Sequence, residues 1–498
     1  MTGPRWKLRY AAVAVAACTV VATAPLGAAA AQSAAQSAAP PPGPSARLIV
    51  AQNRITVPRF RGRAFIDPGV YVAALGSALQ FDVQRASYTR PIRITQVIHL
   101  PDGSTVTRPR PASLLHGFRG LRNFLSVSVA NSAGKIVATH RYLFCPAVFD
   151  PQRTSPGSPM NSPYPNDGCH SDPFPRGEVW GIQRGWAADA TEGSNHSYRL
   201  HLGTYQLTAT ITGKYRRLLG VSAADATAHV QVKIVKGSGC CDDRPSPRGP
   251  RGGTLPRLPQ VPTLRNPPRA ALPDLVPLPS WGIRTQRVRA TPTSPAVDEL
   301  TFGATVWIGG RGPLDVEGFR SDGAKTMKAY QYFWRGGHVV GRARAGTMGF
   351  SGYNQWHFRQ FARYQLLGSA RTVALRSHKE GFCIAPTDAV DMVLPGAVWQ
   401  PSFTGLSGAC GEQSALQVQE MLPLGWGDTY FQFLPGQAFN ITHVPNGTYY
   451  IEIIANPEKL IHESDTGNDT SLRKVILGGT RGHRTVRVPA YHGIDPEH

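Results

Sequence analysis

Glycine and proline punctuation limits the folds open to this chain more than any other feature. There are 52 glycines and 43 prolines in 498 residues. Few segments run long enough for a helix before meeting a residue that breaks or weakens it. Between these breaks lie short runs of β-branched and aromatic residues, and long helical periodicity is scarce. The chain therefore reads as all-β. Phe81–Gln84, Ile92–Ile98, Phe124–Val129, Tyr205–Ile211 and His229–Ile234 are the expected N-terminal strands. Pro101-Asp102-Gly103-Ser104 supplies a turn, and a polar connection separates the last two strands. This pattern predicts an immunoglobulin-like β-sandwich over residues 47–236. A long loop rich in Pro, Ser, Asn and Asp interrupts it between Asp150 and Pro175.

The N-terminus reads as an export signal. Arg5, Lys7 and Arg9 precede an apolar run from Tyr10 to Ala24, and Ala28–Ala31 supplies small residues for cleavage. Residues 1–31 are assigned to this signal and residues 32–46 to a low-complexity tether. Val15-Ala16-Ala17-Cys18 leaves a second route open, in which Cys18 is lipidated and anchors the protein. No later stretch is long and apolar enough for a membrane span. The expected location is secreted, or associated with the cell surface.

Export leaves six cysteines in an oxidising compartment. The preferred pairs are Cys145–Cys169, closing the Pro-rich loop, and Cys383–Cys410 in the C-terminal domain. Adjacent Cys240 and Cys241 would bond each other under strain or bond elsewhere, and spacing alone does not fix connectivity. None has zinc-site spacing.

Charge divides the chain. The formal net charge of +22 lies almost wholly before residue 271, where the balance is +20, against +2 after it. A basic module on an exported protein suits anionic cell-wall polymers, although a merely solvated basic surface fits the same numbers. Nucleic acid is not expected, because no nucleic-acid motif is present. Residues 237–271, dense in Pro, Arg and Gly, separate the two charge regimes as a semi-extended, exposed linker.

A C-terminal domain follows over 272–477, with 478–498 left as a tail. Leu272-Pro273-Asp274-Leu275-Val276-Pro277 opens it, and Leu300–Trp307 is an alternating strand. Next come Gly352-Tyr353-Asn354-Gln355-Trp356-His357-Phe358, Phe361-Ala362-Arg363-Tyr364 and Ser377-His378-Lys379-Glu380-Gly381-Phe382-Cys383. Gly427-Asp428-Thr429-Tyr430 and Glu463-Ser464-Asp465-Thr466-Gly467-Asn468-Asp469 complete the order. In this order the segments closely resemble the catalytic domain of the lysyl oxidase family, over about two fifths of the chain. The resemblance implies a second, lysyl-oxidase-like β-sandwich. It also implies a secreted amine oxidase that uses copper and a lysine tyrosylquinone to convert primary amines, such as peptidyl lysine, to aldehydes with O2.

Three sets of site residues follow from that resemblance. The quinone precursors would be Lys379 and Tyr430. The copper imidazoles, at i, i+2 and i+4 of one strand, fall on Tyr353, Gln355 and His357, so one histidine of three remains. An amide is a poor Cu(II) ligand and a phenol must first lose its proton. His338, His378 and His443 are the remaining candidates for rescue. The calcium positions fall on Asp274, the Leu275 carbonyl, Glu463, Asp465, Asn468 and Asp469, a hard-oxygen set. The alternative to an oxidase is a relative that has lost catalysis and acts as a calcium-stabilised binding or scaffold protein at the cell surface.

Overall fold

A computed structural model describes residues 46–149, 151–154, 157–159, 161–166, 168–169, 172–191, 196–236, 261–320, 325–351, 355–377, 379, 381–401, 410–411, 415 and 417–495. The signal, the tether, Cys18, Cys240, Cys241, Tyr353 and His378 lie outside the described residues. Pro42–His498 forms one compact unit.

Among the described residues the chain is β-sheet, apart from two 3-10 turns and one helix, Gly213–Leu219. That helix fills the connection between the strands Gly203–Ile211 and Thr227–Lys236, and it ends on Gly220 in the left-handed region. The N-terminal half contains a seven-stranded sheet and two four-stranded sheets. Its strands follow the alternation read from sequence. In Gly203–Ile211, Tyr205, Leu207, Ala209 and Ile211 point inward, and residues between them face out. Cys145 is bonded to Cys169, so the Pro-rich loop is pinned at its neck.

The C-terminal half holds a six-stranded sheet and two five-stranded sheets. The Val297–Gly310 strand is buried along most of its length and pairs with Pro273–Pro277, Trp281–Val288, Trp426–Tyr430 and Ala438–Asn440. Leu314–Phe319 pairs with Thr326–Arg335 on one side and Gln417–Leu422 on the other. One apolar core takes residues from all three sheets, including Val306, Val316, Trp356, Phe382, Val418 and Ile453.

Two boundaries differ from the sequence reading. Residues 261–271, assigned to an exposed linker, are partly packed: Leu264 donates its N–H to the Arg342 carbonyl, and Ala271 is fully buried. Residues 478–487, assigned to a tail, extend the Thr470–Thr480 strand and add His483–Arg487 as its partner. In both places the backbone hydrogen bonds are met by a neighbouring strand, which Pro and Gly content does not reveal.

The two halves pack closely. Gly177 bridges Asp391 in parallel, and Met392 donates to the Gly177 carbonyl at 2.7 Å. Phe174, from the pinned loop, enters a cluster with Leu278, Trp281, Trp307 and Val390. No helix among the described residues is long and apolar enough to cross a membrane.

Candidate active site

Lys379 follows the Val373–Arg376 strand, and two contacts fix its backbone. Its N–H donates to Ser377 Oγ at 3.2 Å, and that hydroxyl donates to the Gly436 carbonyl at 2.7 Å. Gly436 has φ +84°, and a Cβ there would stand 3.2 Å from Lys379 Cβ, so glycine suits both the turn and the close approach. The side chain runs inward. Its Nζ lies 3.7 Å from the ring centre of Tyr430 and 4.9 Å from that of Phe382.

Tyr430 ends the Trp426–Tyr430 strand. Its hydroxyl accepts from the Cys383 N–H at 2.9 Å and donates to the Cys383 carbonyl at 3.1 Å. The Cys383–Cys410 disulfide anchors the segment that makes both bonds. Phe382 stands edge-on to Tyr430, Tyr364 and Phe361, with centroids 5.3–5.7 Å apart. The amine therefore sits at the edge of an apolar aromatic cluster. Burial pushes the Lys379 amine down to about 8, and the field of Asp428 partly opposes this. Sequence reasoning paired Lys379 with Tyr430 across 51 residues, and the fold brings them together.

Two carboxylates of this site were not singled out from sequence. Asp428 lies two residues before Tyr430 on the same strand, so the two side chains leave on one side. Glu420 occupies an inward position of Gln417–Leu422, between Val418 and Leu422. Both are almost fully buried. Glu420 Oε2 accepts from the Ile384 N–H at 3.0 Å. Glu420 Oε1 and Asp428 Oδ2 have no hydrogen-bond partner among the described residues. Burial drives both acids well above the ordinary carboxylate range. Lys379 partly offsets that for Asp428, and the Asp428 charge raises Glu420 further. An inward-phase Glu between two apolar residues was the available signal.

His357 and Gln355 sit on the Gln355–Phe358 strand, two residues apart and hence on one side. His357 is 7% exposed, and its Nδ1 is 3.1 Å from the Gln355 carbonyl. Burial lowers its pKa, the Gln355 carbonyl raises it and the Lys379 charge lowers it further. Reciprocal hydrogen bonds between Phe358 and Phe382 tie this strand to the Lys379 segment. The copper position and the quinone position are thus neighbours, as the resemblance requires. Of the rescuing histidines, His338 pairs with Arg335 at a hairpin end, whereas His357 pairs with Gly349. The intervening strand is roughly 35 Å long at its usual rise. His443 is exposed beyond the Ala438–Asn440 strand. Neither brings a second imidazole to His357. Among the described residues the donor set does not fit the family's copper ion, because one imidazole, His357, and one amide, Gln355, are present; His378 and Tyr353 lie outside them.

Residues 350–485 match the lysyl oxidase family model. This part of the chain is a lysyl oxidase domain. No curated protein matches the chain.

Some of the residues that the resemblance matched to calcium positions lie near one another. Asn468 Nδ2 donates to Asp274 Oδ2 at 3.1 Å, and Glu463 Oε2 accepts from the Leu275 N–H at 3.1 Å. Asp274 Oδ1, Asn468 Oδ1 and Asp469 Oδ1 are buried with no hydrogen-bond partner among the described residues. Burial raises Asp274, raises Glu463 to about 7 and raises Asp469 to about 6, with neighbouring carboxylates adding to each. Among the described residues, no three His, Cys, Asp or Glu side chains meet at metal-binding geometry. The side-chain donors are hard oxygens, crowded with like charge and partly unpaired among the described residues.

Proposed function

We propose that this chain is an exported lysyl-oxidase-type protein that has given up the copper chemistry of its family. In this reading it serves as a calcium-clasped binding or scaffold protein at the cell surface. The observation that carries this reading is the strand Gln355–Phe358. It offers an amide and one imidazole where three imidazoles are needed to hold Cu(II). The oxygen donors of Asp274, the Leu275 carbonyl, Glu463, Asp465, Asn468 and Asp469 suit calcium, which would fasten the Pro273–Pro277 strand to the turn before Thr470–Thr480. The basic N-terminal half, with its balance of +20, suits anionic wall polymers as the surface partner.

A second reading is favoured by one observation, the 3.7 Å approach of Lys379 Nζ to Tyr430. In it the protein is an amine oxidase acting on primary amines or peptidyl lysine. The family's quinone, built from these two residues, would supply an electrophilic carbonyl to the substrate amine. Lys379 and Tyr430 fit that group by position. The aromatic cluster around them would keep water from the amine.

Metal analysis and an amine oxidation assay on the exported full chain separate the readings. Calcium near one per chain, copper well below it and no peroxide from primary amines are expected. Copper near one per chain with turnover would sink the first reading and establish the second.

A further inference from the structure

Why a half-buried lysine persists opposite a dismantled copper strand is answered by what else it faces. Asp428 and Glu420 come from the strands Trp426–Tyr430 and Gln417–Leu422, which belong to two different sheets. Asp428 neighbours Val306 in register, and Glu420 neighbours Val316. Both Val306 and Val316 belong to the central core, so the carboxylates lie in its apolar interior. Lys379 enters the same space, beside Phe382, Tyr364 and Tyr430.

We propose that Lys379, Asp428 and Glu420 form a self-crosslinking triad, in which the Lys379 amine condenses with the Asp428 carboxyl to an intramolecular amide. Nζ rests over the Tyr430 ring and is not in ion-pair contact with Asp428. Asp428 and Tyr430 are alternate residues on one side of a strand, about 7 Å apart. Lys379 and Asp428 are close enough to feel each other's charge, and the step requires the lysine stem to rotate Nζ from the ring toward the carboxyl carbon.

The reaction balances without an oxidant. The Nζ lone pair attacks Asp428 Cγ, and the new C–N bond forms as the C–OH bond breaks. Glu420 gives a proton to the departing oxygen and takes one from the attacking nitrogen. The products are a secondary amide and one water. The step needs a neutral amine and a neutral carboxylic acid, and burial moves both groups toward those forms. The unpaired Glu420 Oε1 and Asp428 Oδ2 are the atoms the proton relay requires. The amide would replace a buried amine and a buried acid and fasten the Lys379 segment to a strand of the six-stranded sheet. This proposal builds on the reading without copper, because the quinone would consume the same lysine.

Peptide mapping by mass spectrometry on the exported full chain tests it. The expected result is a single species joining the Lys379 and Asp428 peptides, lighter than their sum by one water. In the denatured protein Lys379 should also resist amine-specific methylation. Asp428→Asn should still cross-link, now losing ammonia, and Glu420→Gln should slow formation about 100-fold. Separate peptides with a methylated Lys379 overturn the proposal, yet leave the calcium-clasped reading standing. A Lys379–Tyr430 species that has gained one oxygen and lost four hydrogens overturns both.

Discussion

Asn468 donates a hydrogen bond to Asp274 across 194 residues, so the Pro273–Pro277 strand is held to the turn that leads into Thr470–Thr480. Glu463 reinforces this by accepting from the Leu275 N–H, and Asn456 holds its other oxygen. Three buried side-chain oxygens around the junction stay unpaired. A cation would satisfy them and relieve the repulsion among Asp274, Asp465 and Asp469. Millimolar calcium should therefore raise the thermal midpoint of the full chain, and a chelator should lower it. Asp274→Ala should abolish the response while leaving the protein folded at lower temperature. Equal midpoints with calcium and with chelator would remove calcium from this account.

Restoring the missing imidazoles should restore copper binding. Tyr353→His with Gln355→His would restore three imidazoles at i, i+2 and i+4, aligned with His357. The double variant should bind close to one copper per chain, while the parent stays well below that. In that variant a quinone built on Tyr430 would compete with the Asp428 amide for Lys379. Gain of quinone absorbance would show that the pair is competent and lacks only the metal. Copper without any absorbance change would locate a further defect at Lys379 or Tyr430.

Much of this was legible in the sequence, for reasons that can be named. Leu300–Trp307 and Tyr205–Ile211 lie within strands because alternation survives whatever covers the sheet. Both expected disulfides formed. Lys379 and Tyr430 were found by motif, since nothing in a 51-residue separation marks them. Glu420 was missed because a charged residue in an alternating strand is normally assigned to the wet face, and here it occupies the dry one. His338 misled in the opposite way, as histidine type carries no information about strand register. The joining of the two halves was invisible, because Phe174 lies in a Pro-rich loop without periodicity.

That joining can be tested. Phe174 is fully buried against Trp281, Trp307, Leu278 and Val390, and its ring meets those of Tyr88 and Tyr491 edge-on. Thr305 adds a hydrogen bond to Asp172 at 3.2 Å. Phe174→Ala should cost about 3–5 kcal/mol, the usual penalty for an aromatic core truncation. A fragment beginning near residue 262 would expose the same apolar cluster and should aggregate or melt well below the full chain. If denaturant titration gives the fragment the stability of the whole, the two halves are energetically independent.

Asp315 and Glu317 are alternate residues on one side of the Leu314–Phe319 strand. Asp315 is fully buried and accepts from Trp334 Nε1 at 2.7 Å and Gln419 Nε2 at 3.1 Å. Glu317 accepts from Gln417 Nε2 at 3.0 Å. Burial raises Asp315 to about 6 and Glu317 to about 7, and the Asp315 charge adds to the latter. Both folded values lie above the unfolded ones, so the folded state holds protons that the unfolded state has released. Their contribution to stability is present at about pH 4 and is lost as pH rises through 6 and 7. Glu317→Gln keeps an oxygen for Gln417 and removes one titration. It should stabilise the protein at pH 8 by on the order of 1–2 kcal/mol and have little effect near pH 4. Urea titrations of parent and variant at the two pH values measure this directly. A variant equally destabilised at both would mean that the charge of Glu317 is met by Arg342 and carries no penalty.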